Sequence, residues 1–149
     1  MSTYELFGPL DSVLGSQLVG EVLLVEVVLL GLLFANMGAR ALAHRRHVSQ
    51  AEDGGAEAIS RHRAHTATNL LLVLGAFYYL TLAPHAGMVT SVIVVGVVLT
   101  DIFEFESRKV EARRDLSLDA PKAAVAGSLL ALVYLMYVTL FSGPLGQFL

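Results

Sequence analysis

The apolar positions of this chain fall into four long, nearly unbroken blocks, and the polar residues between them set how the blocks must be arranged. The blocks run over about 18–43, 67–83, 87–105 and 123–141. Each meets the requirement of about 17–25 residues for a helix to cross a ~30 Å hydrocarbon layer. Short segments can cross lipid only as helices, because every backbone N–H and C=O must find its partner within the segment. The predicted fold is therefore all-α: a single domain over 1–149, built as an integral membrane four-helix bundle.

Charge gives the bundle a direction. All ten Lys and Arg residues lie in or beside two connections: Arg40 near the end of the first block with Arg45, Arg46, Arg61 and Arg63 between the first and second, and Arg108, Lys109, Arg113, Arg114 and Lys122 between the third and fourth. The tails and the hairpin Pro84-His85-Ala86-Gly87 carry none. The positive-inside rule then places both basic connections in the cytoplasm and both termini outside, in the cell membrane. A cleaved signal peptide fits the first block poorly, since no basic segment precedes it and Glu5, Asp11, Glu21 and Glu26 lie in or before it.

Composition adds mostly exclusions. The chain is 55% hydrophobic with a mean hydropathy of +0.65. A net charge of -3 offers nothing to nucleic acid. The absence of Cys excludes disulfides, thiolate metal sites and cysteine nucleophiles. No phosphate-binding glycine loop, nucleophile elbow or HExxH motif is present. Asp53-Gly54-Gly55 splits the first basic connection into two arms, each expected to extend its helix, and Asp119 with Pro121 marks the start of the fourth helix.

Ionisable groups at membrane depth are costly and need partners. Wound at about 100° per residue, Glu26, Asn36, Arg40, His44 and His47 fall within roughly 80° of one face of the first helix. The third helix brings Asp101 and Glu104 to about the depth of Arg40, so an ion pair from Arg40 to one of them is expected. The stripe has two readings: a proton or ion path with Glu26 as its least hydrated carboxylate, or polar contacts that hold helices together.

The histidines form a second constellation. His44 with His47, and His62 with His65, are i,i+3 pairs at the basic ends of the first two helices. Converging, they could hold a metal or, with His44 opposite His62 or His65, a haem. Their Arg neighbours oppose a cation, and Arg45, Arg46, Arg113 and Arg114 suit anionic lipid head groups instead. No cofactor is predicted. Tyr78, Tyr79, Tyr134 and Tyr137 serve as an outer aromatic belt or as core, with a quinone site a remoter option.

Small residues four apart allow close helix approach: Gly31 with Ala35, Gly87 with Ser91, and Ala123 with Gly127 and Ala131. The stretch from Ala43 to Asn69, AHRRHVSQAEDGGAEAISRHRAHTATN, and that from Asp101 to Leu116, DIFEFESRKVEARRDL, resemble a family of small uncharacterised membrane proteins from halophilic archaea. That resemblance implies four helices in a haloarchaeal cytoplasmic membrane, and carries no assigned activity or residue role over to this chain. The expected function is a non-enzymatic, accessory or structural subunit of a larger membrane complex, partnered by lipid and by other membrane subunits or its own copies. The alternatives are a metal- or haem-binding redox protein using the four histidines, and a small proton or ion translocator using Glu26.

Overall fold

A computed structural model describes residues 6–145 and 148. A short helix α1 (Pro9–Leu14) leads into a two-stranded antiparallel hairpin, β1 (Gln17–Val19) with β2 (Val22–Leu23). Four long helices follow: α2 (Leu24–Gly54), α3 (Arg63–Leu82), α4 (Pro84–Arg113) and α5 (Lys122–Ser142). Each long helix packs on two neighbours in a closed ring, α2–α3–α4–α5. All four are long and apolar enough to cross a membrane.

The first helix begins at Leu24, later than the apolar block from residue 18 suggests. Gly20 sits at φ 58, a backbone that ends helical continuity, and the residues around it pair as the hairpin. The backbone N–H of Glu21 donates to the Ser142 carbonyl at 3.0 Å, which ties this hairpin to the end of α5. The ends of the described chain thus meet at the same end of the bundle as the α3–α4 turn. At that turn Gly87 lies against the backbone of Leu80, and a Cβ there would overlap it.

Towards the opposite, basic end, α2 and α4 are longer than a bilayer crossing requires. At about 1.5 Å per residue, 31 and 30 residues exceed a ~30 Å core by several turns. Between α2 and α3 the first expected helical arm is present, since α2 continues to Gly54, whereas the second is only the short stretch of α3 from Arg63. Gly55 turns at φ 72, Ala56–Ala58 form a single 3-10 turn, and α3 starts only at Arg63. Gln50 clasps this segment, donating from Nε2 to Ser60 Oγ at 3.0 Å and accepting from the Ser60 N–H at 3.1 Å. Ile59 is buried beneath it.

The core between the two ends is apolar: Leu29, Leu33, Leu72, Ala76, Val94, Ala131 and Leu135 form one cluster. Because lipid solvates Leu as well as a neighbouring helix does, such packing holds helices together by shape rather than by escape from water. The small-residue ridges divide accordingly. Gly87 and Ser91 are buried in the bundle. On α5 the buried ridge is Ala124, Ser128 and Ala131 rather than Ala123, Gly127 and Ala131. Ala123 is exposed, and Gly127 meets only the Val97 side chain. The i, i+4, i+7 spacing explains the shift, because it follows the 3.6-residue turn more closely than a strict repeat of four. Gly31 and Ala35 face outward, and Gly31 and Gly38 have open space where a Cβ would stand.

Candidate functional site at the basic end of the bundle

Arg40 lies completely inside the bundle, 1% exposed, and every other long helix contributes to the polar network around it. Its Nε and Nη2 donate to the two oxygens of Asp101 on α4, each at 2.8 Å, in a bidentate pair. Its Nη1 donates to Ser128 Oγ on α5 at 2.9 Å, and Nη2 also reaches Asn36 Oδ1, one turn back on α2, at 2.7 Å. The Asn36 amide then donates to Thr68 Oγ1 at 2.9 Å and to Asn69 Oδ1 at 2.7 Å on α3. His65 Nε2 lies 3.2 Å from Asp101 Oδ2 and completes the ring from α3. A buried guanidinium needs this degree of saturation, because the desolvation of two charges is offset only by good geometry and filled hydrogen-bond capacity.

Glu104, the other carboxylate expected near Arg40, is placed differently. One turn beyond Asp101, its Oε1 accepts from the N–H groups of Ala123 and Ala124 at 3.1 and 3.2 Å and so caps α5. A carboxylate there faces the positive end of the helix dipole. Neither Asp119 nor any other side chain at its start supplies that cap. Glu104 Oε2 is 3.9 Å from Arg108 Nη2, the i,i+4 pair on α4.

The four histidines do not gather around a point. His47 is buried, with Nε2 2.9 Å from the Ser60 carbonyl, so that nitrogen must carry the proton. Its Nδ1 is left as an acceptor and lies 3.4 Å from Arg108 Nη1. His62 Nδ1 accepts the His65 N–H at 3.3 Å and caps α3. His65 faces Asp101, and His44 Nδ1 is buried without a partner. Among the described residues no group of three or more His, Asp or Glu is arranged to hold a metal. The loop after Gly55 carries the two pairs, His44 with His47 and His62 with His65, to different partners. His47, His62 and His65 border a cavity of about 30 Å³, which has no room for a porphyrin.

Glu26 belongs to a separate cluster at the hairpin end. It is 3% exposed. Oε2 accepts the Leu23 N–H at 3.1 Å, and Oε1 accepts the Tyr79 hydroxyl at 2.6 Å. As the third residue of α2 it neutralises the dipole and one orphan amide of the helix start. Between Glu26 and Asn36 the same face of α2 presents Leu29 and Leu33, both fully buried, so the stripe is interrupted by an apolar layer. Tyr79 is core, while Tyr78 donates to Asp11 Oδ1 of α1 at 2.6 Å. Tyr137 is exposed and packs its ring on Phe141 at 4.7 Å. Arg45, Arg46, Arg113 and Arg114 are all exposed at the basic end.

Thr68, Asn69, Ser128 and Asp11 complete these clusters and escape a reading by apolar blocks. Thr68 and Asn69 carry the clearest signal, as polar neighbours at the start of an apolar block and near the depth of Asn36.

A closed polar network inside four long apolar helices defines a class: a helical bundle with the dimensions and surface of a multi-pass membrane protein. Residues 2–144 match the model of Domain of unknown function (DUF7313), and the chain belongs to that family. No curated protein and no solved structure matches it.

Proposed function

We propose that the chain is a non-enzymatic accessory subunit of a larger membrane complex. It would sit in the cytoplasmic membrane of a halophilic archaeon, basic end inward and both termini outside. The observation that carries this reading is the closure of the Arg40 network: four helices give polar side chains to it, and they bind one another. Polar groups at membrane depth that serve a substrate or an ion path are held open to a cavity or to water. Here, among the described residues, Arg40 borders no cavity, Asp101 borders one of only about 30 Å³ and has both oxygens on Arg40, and Leu29 and Leu33 separate the pair from Glu26. Such a network fixes which helices pair and in what register, which is the property a scaffold needs.

The outward face of α2 supports the same reading. Gly31, Ala35 and Gly38 form a shallow strip beside exposed Val27, Phe34 and Leu42, while Gly87 and Ser91 are already used inside the bundle. A transmembrane helix of a different membrane protein fits such a strip, small residues against its backbone. Exposed Arg45, Arg46, Arg113 and Arg114 would hold anionic head groups on the inner leaflet.

The test is gentle extraction from the native membrane with a C-terminal tag, followed by mass spectrometry with stoichiometry. The expected result is one or more membrane proteins at fixed ratio, lost in the pair Gly31→Leu and Gly38→Leu while the bundle itself stays folded. Recovery of the chain alone, or only with its own copies, would overturn the proposal.

A further inference from the structure

A small cavity of about 30 Å³ lies beside the Arg40 network, at the basic end of the bundle. His47, Arg61, His62, His65, Asp101 and Arg108 line it. Asp101 is its one carboxylate, and both its oxygens are engaged by Arg40. Arg61 stands with its guanidinium 4.3 Å above the Phe105 ring, and among the described residues it has no carboxylate at ion-pair distance. Arg108 is 3% exposed, and its Nε–H has no hydrogen-bond partner. Its nearest carboxylate oxygen, on Glu104, lies 3.9 Å from Nη2, and the other oxygen of Glu104 caps α5. A buried guanidinium N–H without an acceptor is costly, and the Glu104 carboxylate answers the Arg108 charge only from 3.9 Å and leaves Arg61 with no counter-charge of its own.

We infer that this cavity is a binding site for a small, singly charged anion, held between Arg61 and Arg108. The volume is on the order of one or two waters, which suits a halide or the tip of one oxyanion. His47 does not compete for it, because its protonated nitrogen is occupied by Ser60 and its other nitrogen is an acceptor facing Arg108. Two sources share this chemistry. A free inorganic ion could enter from the basic end. Alternatively, the phosphate of an anionic lipid could reach Arg61 from the cleft between α3 and α4. That cleft, about 350 Å³, is walled by Leu70, Val73 and Val98 and shares Arg61, Thr66, Asn69 and Ile102 with the cavity.

The full chain purified in mild detergent separates the cases. Native mass spectrometry reads retained lipid, and thermal unfolding in potassium chloride against potassium gluconate at equal ionic strength reads the free ion. A retained anionic lipid that Arg61→Gln releases supports the site with a lipid phosphate as its occupant. With lipid stripped, a saturable rise in midpoint on the order of 3 °C in chloride supports the site with a free ion, if gluconate gives none and Arg61→Gln abolishes the rise. Arg61 lies on an exposed loop, so its variant keeps the bundle, whereas Arg108→Gln tests the same point only if it folds. Equal midpoints in the two salts together with no retained lipid would overturn the inference.

Discussion

Arg40 and Asp101 meet across α2 and α4 in a bidentate pair, 2.8 Å on each arm, with the arginine 1% and the aspartate 5% exposed. The pair stands about 24 Å along α2 from its first residue, at 1.5 Å per residue. At that depth neither charge can turn to water if its partner is removed. Arg40→Met or Asp101→Leu alone is therefore expected to cost about 3–5 kcal/mol of stability, because each leaves an uncompensated buried charge. The double substitution should recover most of that loss, since it removes both desolvation terms while keeping volume. Denaturant unfolding of the four proteins in one detergent checks this as a double-mutant cycle. Equal loss in the singles and the double would show that the pair is not the term that matters.

The two glycines of similar spacing on α2 and α4 are expected to behave oppositely. Gly87→Ala places a methyl into the Leu80 backbone and must spread the α3–α4 turn, for a cost of about 1–3 kcal/mol. Gly31→Ala meets nothing within 4 Å and should stabilise the isolated chain slightly, by up to about 1 kcal/mol from helix propensity. Thermal unfolding of the purified chain ranks them. A destabilised Gly31→Ala monomer would mean that this face of α2 is packed rather than open.

Much of this architecture is legible in the chain, and the limits have physical causes. The four helices are readable because the apolar blocks are long and the breaks at Pro84 and at 114–121 are strong. Arg40 needing a carboxylate on the third helix is equally readable, since a buried guanidinium has so few possible partners. The choice of Asp101 over Glu104 is not, because the two are a single turn apart and only helix register separates them. Glu104 goes to the α5 amides, a need that arises where α5 starts with Lys122 and has no side-chain cap of its own. The histidines mislead for a related reason. Spacing of i,i+3 predicts a shared face within each helix, but the segment from Gly55 to His62 decides where the second pair lands. That segment is set by Gly55 and by the Gln50–Ser60 clasp, ten residues apart. Residues 18–23 read as membrane-spanning because they are apolar, yet Gly20 and the pairing with α5 turn them into a hairpin.

Glu26 caps the start of α2 and anchors Tyr79, so its substitution should change stability and leave transport unaffected. Glu26→Gln keeps an acceptor for only one of the Leu23 N–H and the Tyr79 hydroxyl, presents an NH2 to the other, and loses the charge that favours the helix start, for about 1–2 kcal/mol. Tyr79→Phe leaves one buried oxygen of Glu26 without its donor and should cost a similar amount. In proteoliposomes with an imposed pH gradient, the wild-type chain and both variants should dissipate it no faster than empty vesicles. A wild-type flux that Glu26→Gln abolishes would restore the translocation reading and remove the structural one.

The α1 clasp carries a pH dependence whose sign follows from Asp11. Its carboxylate accepts the Phe7 N–H at 2.9 Å and the Tyr78 hydroxyl at 2.6 Å, and these bonds, the backbone one foremost, hold it below its ordinary value of 3.8. A carboxylate with a depressed folded pKa stabilises its contact fully above the unfolded value and loses that contribution as pH falls through the folded one. The clasp should therefore be closed from neutral pH to about 4 and open progressively below it, α1 detaching while the four long helices remain. The chain has no Cys, so Val13→Cys, at an exposed position, gives a unique site for a nitroxide. Its spectrum should sharpen on acidification, and Asp11→Asn should be mobile at every pH. A pH-independent spectrum in the Asp11 protein would show that α1 is held by the Phe7 ring, tilted against Tyr78 at 5.6 Å, and by its other apolar contacts, with the carboxylate incidental.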